Sequence, residues 1–324
     1  MISLVLTVLN EAKSLPALLD SFAAQTQPPN EVVVCDGGST DGTPEILRAE
    51  KRFPIRVVSE PGANISRGRN RAIAAASGPI IACTDAGVRL ERDWLERITA
   101  PLLADETRAV CAGFFVPDAT STFEIAMSAT VLPALEDIAL EKFLPSSRSV
   151  AFRKNAWQAV GGYPEWLDYC EDLIFDLNLR QKFGAFAFEP RAIAHFRPRG
   201  SFRSFFKQYY LYARGDGKAG LFFKRHVIRY ATYFVALPIL LALVVMGLAA
   251  GNALWLMAGL AGFIFGIVAY CRAPFRRLRR LWAGLAPGEK LRAALLIPAI
   301  RVVGDAGKMC GYPVGVAWKL RRKA

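Results

Sequence analysis

From Ile2 onward, short apolar runs rich in β-branched residues alternate with stretches whose apolar positions fall at helical spacing. ISLVLTVL reads as a strand, Leu15, Leu18, Leu19 and Phe22 as the inner stripe of a helix, and EVVVC as a second strand. Thr43 followed by Pro44 predicts a helix start, with Thr as the cap and Pro at the first helical position. A strand over 55–59, a helix over 66–76 and the strand PIIACTD continue the rhythm. This alternation predicts an α/β domain with a Rossmann-like, mostly parallel sheet and helices on both faces. Ligands in such sheets bind beyond the carboxyl ends of the strands, so residues 7–11, 36–41 and 85–87 are expected to line one crevice.

The pattern changes near Val227. Between Tyr230 and Cys271 there is no charged residue. Helices over 230–250 and 253–270 would each reach roughly 27 to 32 Å, close to the ~30 Å hydrocarbon core of a bilayer. They predict a transmembrane hairpin turning at Gly251-Asn252, with Pro238 as a site for a kink. Arg272, Arg276, Arg277, Arg279 and Arg280 follow at once, while the turn carries no charge. The positive-inside rule puts those arginines, and the domain preceding the hairpin, on the cytosolic side of an inner (cytoplasmic) membrane. In the remainder, Leu291, Leu295, Leu296, Ile300 and Val303 are interrupted by Pro298, which predicts an amphipathic segment on anionic lipid. The expected division is 1–227, 228–271 and 272–324.

Locating the charge changes what the net +13 of this 324-residue chain means. Residues 1–227 hold 27 basic against 26 acidic side chains, whereas 272–324 hold 13 against 2. The basicity adjoins the apolar spans, so membrane phosphates are the expected partner and nucleic acid is not. Six cysteines, with no C-x-x-C pair, are expected as reduced thiols. The N-terminus lacks a basic leader, and Met1 is expected to begin the folded domain.

Five motifs in order make the chain recognisable: TVLNEA at 7–12, CDGGSTDGT at 35–43, RGRNRAIAAASG at 67–78, TDAG at 84–87 and AFRKNAWQAVGGYPEWLDYCEDLIFDLNLR at 151–180. Together they resemble the family 2 inverting glycosyltransferases with a GT-A fold, over roughly residues 1–220. The resemblance implies transfer of a sugar from a nucleotide-diphosphate sugar, with UDP favoured. It assigns Asp36 to the nucleotide base, with Thr7, Asn10 and Glu11 flanking it and Asn70 in the same nucleotide set. Asp85 matches the first aspartate of the family's D-x-D signature, and Gly87 stands where the second is expected. A divalent cation, Mg²⁺ or Mn²⁺, is therefore expected on Asp85 and the donor phosphates, since these ions need few protein ligands. Arg67, with Arg69 and Arg71, either offsets phosphate charge at a helix start or is solvated surface.

In the Glu171-Asp172 pair the resemblance makes Asp172 the general base and gives Glu171 a supporting role, although acidic residues at a helix start need no catalytic explanation by themselves. Gln208 and Arg214 fall where family members place a segment gating the donor and acceptor, but the processive enzymes' Q-x-x-R-W signature is absent. That absence implies one sugar per acceptor. His195 follows a strand and reads as structural, or as a phosphate or metal contact. The expected acceptor is lipid-linked, for a cell-envelope glycan or glycolipid. Two other readings stay open: a polyprenyl-phosphate glycosyltransferase, and a membrane-bound partner that lost catalysis, the latter motivated by Gly87.

Overall fold

The computed structural model describes residues 1–323. They form two compact units, Met1–Asp118 with Ala134–Arg197, and Ala119–Pro133 with Pro198 onward. The first 227 residues, expected as one domain, are thus shared between both units.

The first unit contains β1 (Ile2–Val8), α1 (Leu15–Ala23), β2 (Glu31–Asp36), α2 (Thr43–Ala49), β3 (Ile55–Ser59), α3 (Ile65–Ala75), β4 (Ile80–Cys83), β5 (Val88–Leu90), α4 (Trp94–Ala104) and β6 (Val110–Pro117). After a departure into the second unit, which supplies α5 (Thr122–Val131), the chain returns with β7 (Val150–Arg153), α6 (Lys154–Ala159), α7 (Glu171–Phe183) and β8 (Ala187–Phe196). The eight strands lie in the order β3-β2-β1-β4-β7-β6-β8-β5. Strands β1 to β4 are parallel, as the strand-helix rhythm predicts. Beyond them the sheet is mixed: β7 runs antiparallel to both β4 and β6, and β5 antiparallel to β8.

Alternation along the strands explains the two layers. Leu4, Leu6 and Val8 face α1 and α4 through Leu15, Leu18, Phe22, Trp94 and Ile98, while Val5, Val33 and Cys35 face α3 and α7 through Ile73, Phe175 and Leu179. Thr43 corrects one expectation. It does not cap α2, whose preceding residue is Gly42; its buried Oγ1 accepts the Glu11 amide at 2.8 Å instead. The hydroxyl is drawn to a neighbouring loop because that loop's amide has no strand partner. Chain direction along the sheet reverses between β1 and β4, both parallel and hydrogen-bonded side by side, and that reversal opens a crevice at their carboxyl ends.

The second unit holds α5, α8 (Phe202–Ala219), α9 (Phe223–Ala231), α10 (Leu237–Ala249), α11 (Ala253–Leu281) and α12 (Pro287–Lys323). Two stretches, Phe223–Ala249 and Ala253–Gly284, are long and apolar enough to cross a membrane, with only 6% and 11% of their most apolar windows buried inside the protein. A core helix of a soluble protein would be mostly buried. The turn between them is at the expected place: Gly251 has φ +61°, and the Asn252 side chain accepts the amides of Leu254 and Trp255. Residues Thr232–Ala236 form a π-helical turn just before Pro238, which has no N–H to give and whose ring crowds the preceding turn.

The tail is one long helix that continues through Pro298 and Pro313. It packs on α8 through a glycine stripe, Gly307, Gly311 and Gly315, so that the two backbones touch. A Cβ at Gly307 would stand 2.9 Å from the Phe206 carbonyl oxygen, and at Gly311 and Gly315 it would overlap the carbonyls of Tyr210 and Arg214. Small residues four apart are the usual means of close helix approach, above all in lipid. All six cysteines are free thiols, four of them buried.

The glycine stripe predicts that Gly311→Leu separates α8 from α12 and destabilises the second unit by at least the roughly 1–3 kcal/mol of ordinary overpacking. The check is the thermal midpoint in mild detergent; a midpoint equal to wild type would mean that the helices part without cost.

Candidate active site

Three loops leave the carboxyl ends of β1, β2 and β4. The first two are stitched together. Asn10, at φ +57°, donates its amide to Ser39 Oγ at 2.9 Å and accepts the Thr40 amide at 2.8 Å on its side chain. Asp41 accepts the amides of Ala12 and Thr43 at 3.1 and 2.9 Å. Asp36, buried at the end of β2, turns its Oδ1 to the amides of Gly38 and Ser39 and to the Ser39 hydroxyl. Thr7 donates to the Cys35 carbonyl and lies against Gly68 of α3, where any side chain would strike it. Thr7, Asn10, Glu11 and Asp36 therefore come together on one rim.

The centre of the site is Arg69. Helical phase places it on the inner face of α3 with Ser66, Ala72 and Ile73, and it is 2% exposed. Its Nη2 donates to Asp85 Oδ1 at 2.6 Å and its Nη1 to Glu171 Oε1 at 2.7 Å, while the guanidinium lies 5.3 Å from the centre of the Tyr163 ring. Tyr163 is itself fixed by stacking on Phe175 at 4.0 Å. Arg148 adds a second cation, its Nε 3.7 Å from Asp85 Oδ2. One buried guanidinium thus binds the TDAG aspartate to the Glu171-Asp172 pair, motifs 86 residues apart in sequence.

Burial alone would raise the pKa of Asp85, but Arg69 and Arg148 outweigh it and hold the carboxyl below the usual range. Glu171 responds oppositely: burial, then the charge of Asp172, pushes it up to about 7 against the pull of Arg69. Asp176, one turn further along α7, is raised by burial first and by Asp172 next. Asp172, in the first turn of α7, accepts the Leu173 amide at 2.8 Å and is less buried than either neighbour. The arrangement offers an accessible carboxylate able to take a proton, set beside a carboxylate held anionic by two arginines.

Other candidates have different surroundings. Arg67 pairs with Glu60, as does Arg71 at 3.3 Å. Asn70 has all four hydrogen-bonding positions in use: its amide donates to the Tyr163 carbonyl and Glu165, and its oxygen accepts from Trp157 Nε1 and the Tyr163 amide. It clamps α3 to Trp157 of α6 and to the loop that follows that helix. His195 Nε2 meets Glu91 Oε1 at 2.5 Å, a structural pairing. Gln208 and Arg214 lie on α8 in the second unit, Gln208 donating to the Tyr212 hydroxyl at 2.9 Å. Sequence reasoning missed Arg148 and Asp176. Asp176 was legible as the residue four after Asp172 on the same helix; Arg148 sits in a loop that no periodicity marks.

Among the described residues no cluster of three or more His, Cys, Asp or Glu could cage a metal ion. Asp85 offers one hard carboxylate, and the position of Gly87 is open, with nothing within 4 Å of an added Cβ. That donor set fits an ion held mainly by phosphate oxygens and water, the habit of Mg²⁺ and Mn²⁺.

Residues 3–158 match the family model described as glycosyl transferase family 2. The chain is 28% identical over 230 residues to the succinoglycan biosynthesis protein ExoA of Rhizobium meliloti, covering 66% of this chain and 68% of that one. It is 28% identical over 174 residues to the glycosyltransferase AglE of Haloferax volcanii, covering 51% of this chain and 57% of the relative, little more than half its length. Among solved structures it is similar to a mannosyltransferase of Pyrobaculum calidifontis in complex with GDP-Man and Mn²⁺, with TM-score 0.54 at 18% identity, covering 100% of this chain and 88% of that one. That likeness is one of fold.

A folded-state pKa of about 7 for Glu171, above its ordinary 4.5, means that the folded state holds the proton more tightly than the unfolded chain. The stability this group contributes is complete below its ordinary value and is lost as pH rises through the folded one. Glu171→Gln is expected to flatten that fall, so that its thermal midpoint gains on wild type between about pH 5 and about pH 8. Parallel midpoints across this range would show Glu171 ionised throughout.

Proposed function

We propose that this chain, whose residues 3–158 match glycosyl transferase family 2, is a member of that family and moves a single sugar, with inversion, from a nucleotide-diphosphate donor to a lipid-linked acceptor at the membrane surface. The observation that carries this reading is the Arg69 bridge, which puts the aspartate of TDAG and the Glu171-Asp172 pair in one site. On this reading Asp36 recognises the base, with Thr7, Asn10 and Glu11 around the nucleoside. Asp85 stands at the diphosphate and would hold the divalent cation, which when bound offsets the charge of the departing diphosphate. Asp172 takes the proton of the acceptor hydroxyl as that oxygen attacks the anomeric carbon. The bond from that carbon to the diphosphate oxygen breaks on the opposite face, and the configuration inverts. Arg69 and Arg148 keep Asp85 charged, and Glu171 tunes the local charge beside the base.

The membrane side rests on the two apolar helices and on the arginines that follow the second span. In this reading the hairpin anchors the enzyme in the inner membrane with its sheet unit in the cytosol, where nucleotide sugars are made. Gln208 and Arg214 are candidates for the acceptor side. The succinoglycan protein among the relatives supports a cell-envelope glycan as the product class.

Asp172→Asn is expected to lower turnover of UDP-sugars by about 10²–10⁴-fold, the usual worth of a general base, while thermal stabilisation by UDP or GDP with Mn²⁺ persists. Full turnover in this variant would remove Asp172 from the chemistry; no stabilisation of wild type by any nucleotide would remove the enzyme reading altogether. Gly87→Asp, with open space around it, is expected to change stability by less than about 0.5 kcal/mol and to lower the Mn²⁺ concentration needed for half-maximal turnover. An unchanged Mn²⁺ requirement would place the ion away from this loop.

A further inference from the structure

One face of α12 carries Arg301, Asp305 and Lys308 at helical spacing. Asp305 is fully engaged: it accepts from Arg229 Nε at 2.7 Å, from the Tyr270 hydroxyl at 2.6 Å and from the Tyr233 hydroxyl at 3.3 Å. Asp216 of α8 lies 3.4 Å from His226, whose other ring nitrogen is 3.2 Å from Arg229. The two remaining cations have ring faces for company. Arg301 sits 4.0 Å over the Tyr270 ring, its buried Nε without a hydrogen-bond partner among the described residues, and Lys308 Nζ is 4.5 Å over the Tyr209 ring. Burial, together with Arg229 and Arg301, pushes the Lys308 ammonium down to about 8, against the opposing pull of Asp305 and Asp216.

Three cations therefore face two carboxylates in a half-buried cluster. Buried charge without a counter-charge is costly, and an anion arriving from outside would relieve that cost. The place narrows the anion. Tyr233 and Tyr270 belong to the hairpin, and Tyr270 directly precedes the arginine-rich segment. Tyrosine and arginine at the end of an apolar span mark headgroup depth. Guanidinium and ammonium groups are the usual donors to phosphate oxygens, and Arg301 and Lys308 present one of each two turns apart on one face of α12.

We propose that Arg301 and Lys308, backed by Arg229, form a binding site for a phosphate group. A lipid headgroup and soluble phosphate could each supply it, and one titration separates them. The full chain is purified in dodecyl maltoside, which has no phosphate, and its thermal midpoint is followed against phosphatidic acid, diacylglycerol and inorganic phosphate. Phosphatidic acid is expected to raise the midpoint and diacylglycerol not to; an equal rise with inorganic phosphate would identify soluble phosphate as the source, and no rise would identify the lipid. Arg301→Gln and Lys308→Gln should each weaken the effect roughly tenfold and together abolish it, although both variants keep the arginines in the last turns of α11. Without phosphate the variants should be at least as stable as wild type, since they relieve uncompensated charge. The proposal fails if phosphatidic acid gives no rise in wild type, if the double variant responds as wild type does, or if the single variants are less stable than wild type without ligand.

Discussion

A guanidinium cannot shed its proton to escape a buried site, so an arginine 2% exposed must be met by carboxylates. That requirement governs the sheet unit. Arg69 reaches the loop after β4 with one nitrogen and the start of α7 with another, and the Tyr163 ring covers its face. The first contact keeps one carboxylate ionised. The second holds a glutamate that burial still pushes up to about 7 despite the arginine, beside a more accessible aspartate. Removing either acid would leave a buried cation short of its partner, so the geometry of the site and the stability of its walls are one problem.

Much of this was legible in the sequence. The strands β1 to β4 followed from alternation, and their parallel order brought 7–11, 36–41 and 85–87 to one edge. The hairpin and its turn at Gly251-Asn252 followed from the absence of charge. The membership of Arg69 in the core, rather than of Arg67, was less accessible: three arginines two residues apart look alike until helical phase is set against Ile73. Asn70 likewise reads as a polar group open to ligand, whereas Trp157 of α6 and the loop after it, distant in sequence, occupy all its hydrogen bonds. Pro298 suggested an interruption, yet α12 runs through it, because packing along the glycine stripe outweighs the loss of one helical hydrogen bond.

The two units use different physics. In the sheet unit, branched and aromatic side chains fill the space between layers and polar groups are confined to loops. In the helical unit, glycine brings backbones into contact, and tyrosine hydroxyls and ring faces accommodate half-buried charge. The first kind of packing suits a site that must hold several groups in fixed relation. The second suits helices at a boundary between lipid and water, where apolar burial against a neighbour gains little over burial in lipid.

The departure of residues 119–133 from the sheet unit sets an order in which parts of the chain find their cover. Helix α5 is made early on the ribosome, but Ala126, Met127 and Ala129 find their cover on Phe205, Cys271, Leu278 and Ile297, all synthesised later. The apolar face of α5 therefore waits while at least seventy further residues emerge, and the strand β7, which closes the sheet between β4 and β6, lies downstream of that waiting helix. A chain ended before Pro198 to yield a water-soluble catalytic fragment would keep α5 and lose the cluster partners of its apolar face, Phe205, Cys271, Leu278 and Ile297. The cover of α5 thus comes from the later helices of its own unit, and a useful soluble fragment would need that inner face of α5 rewritten in polar residues.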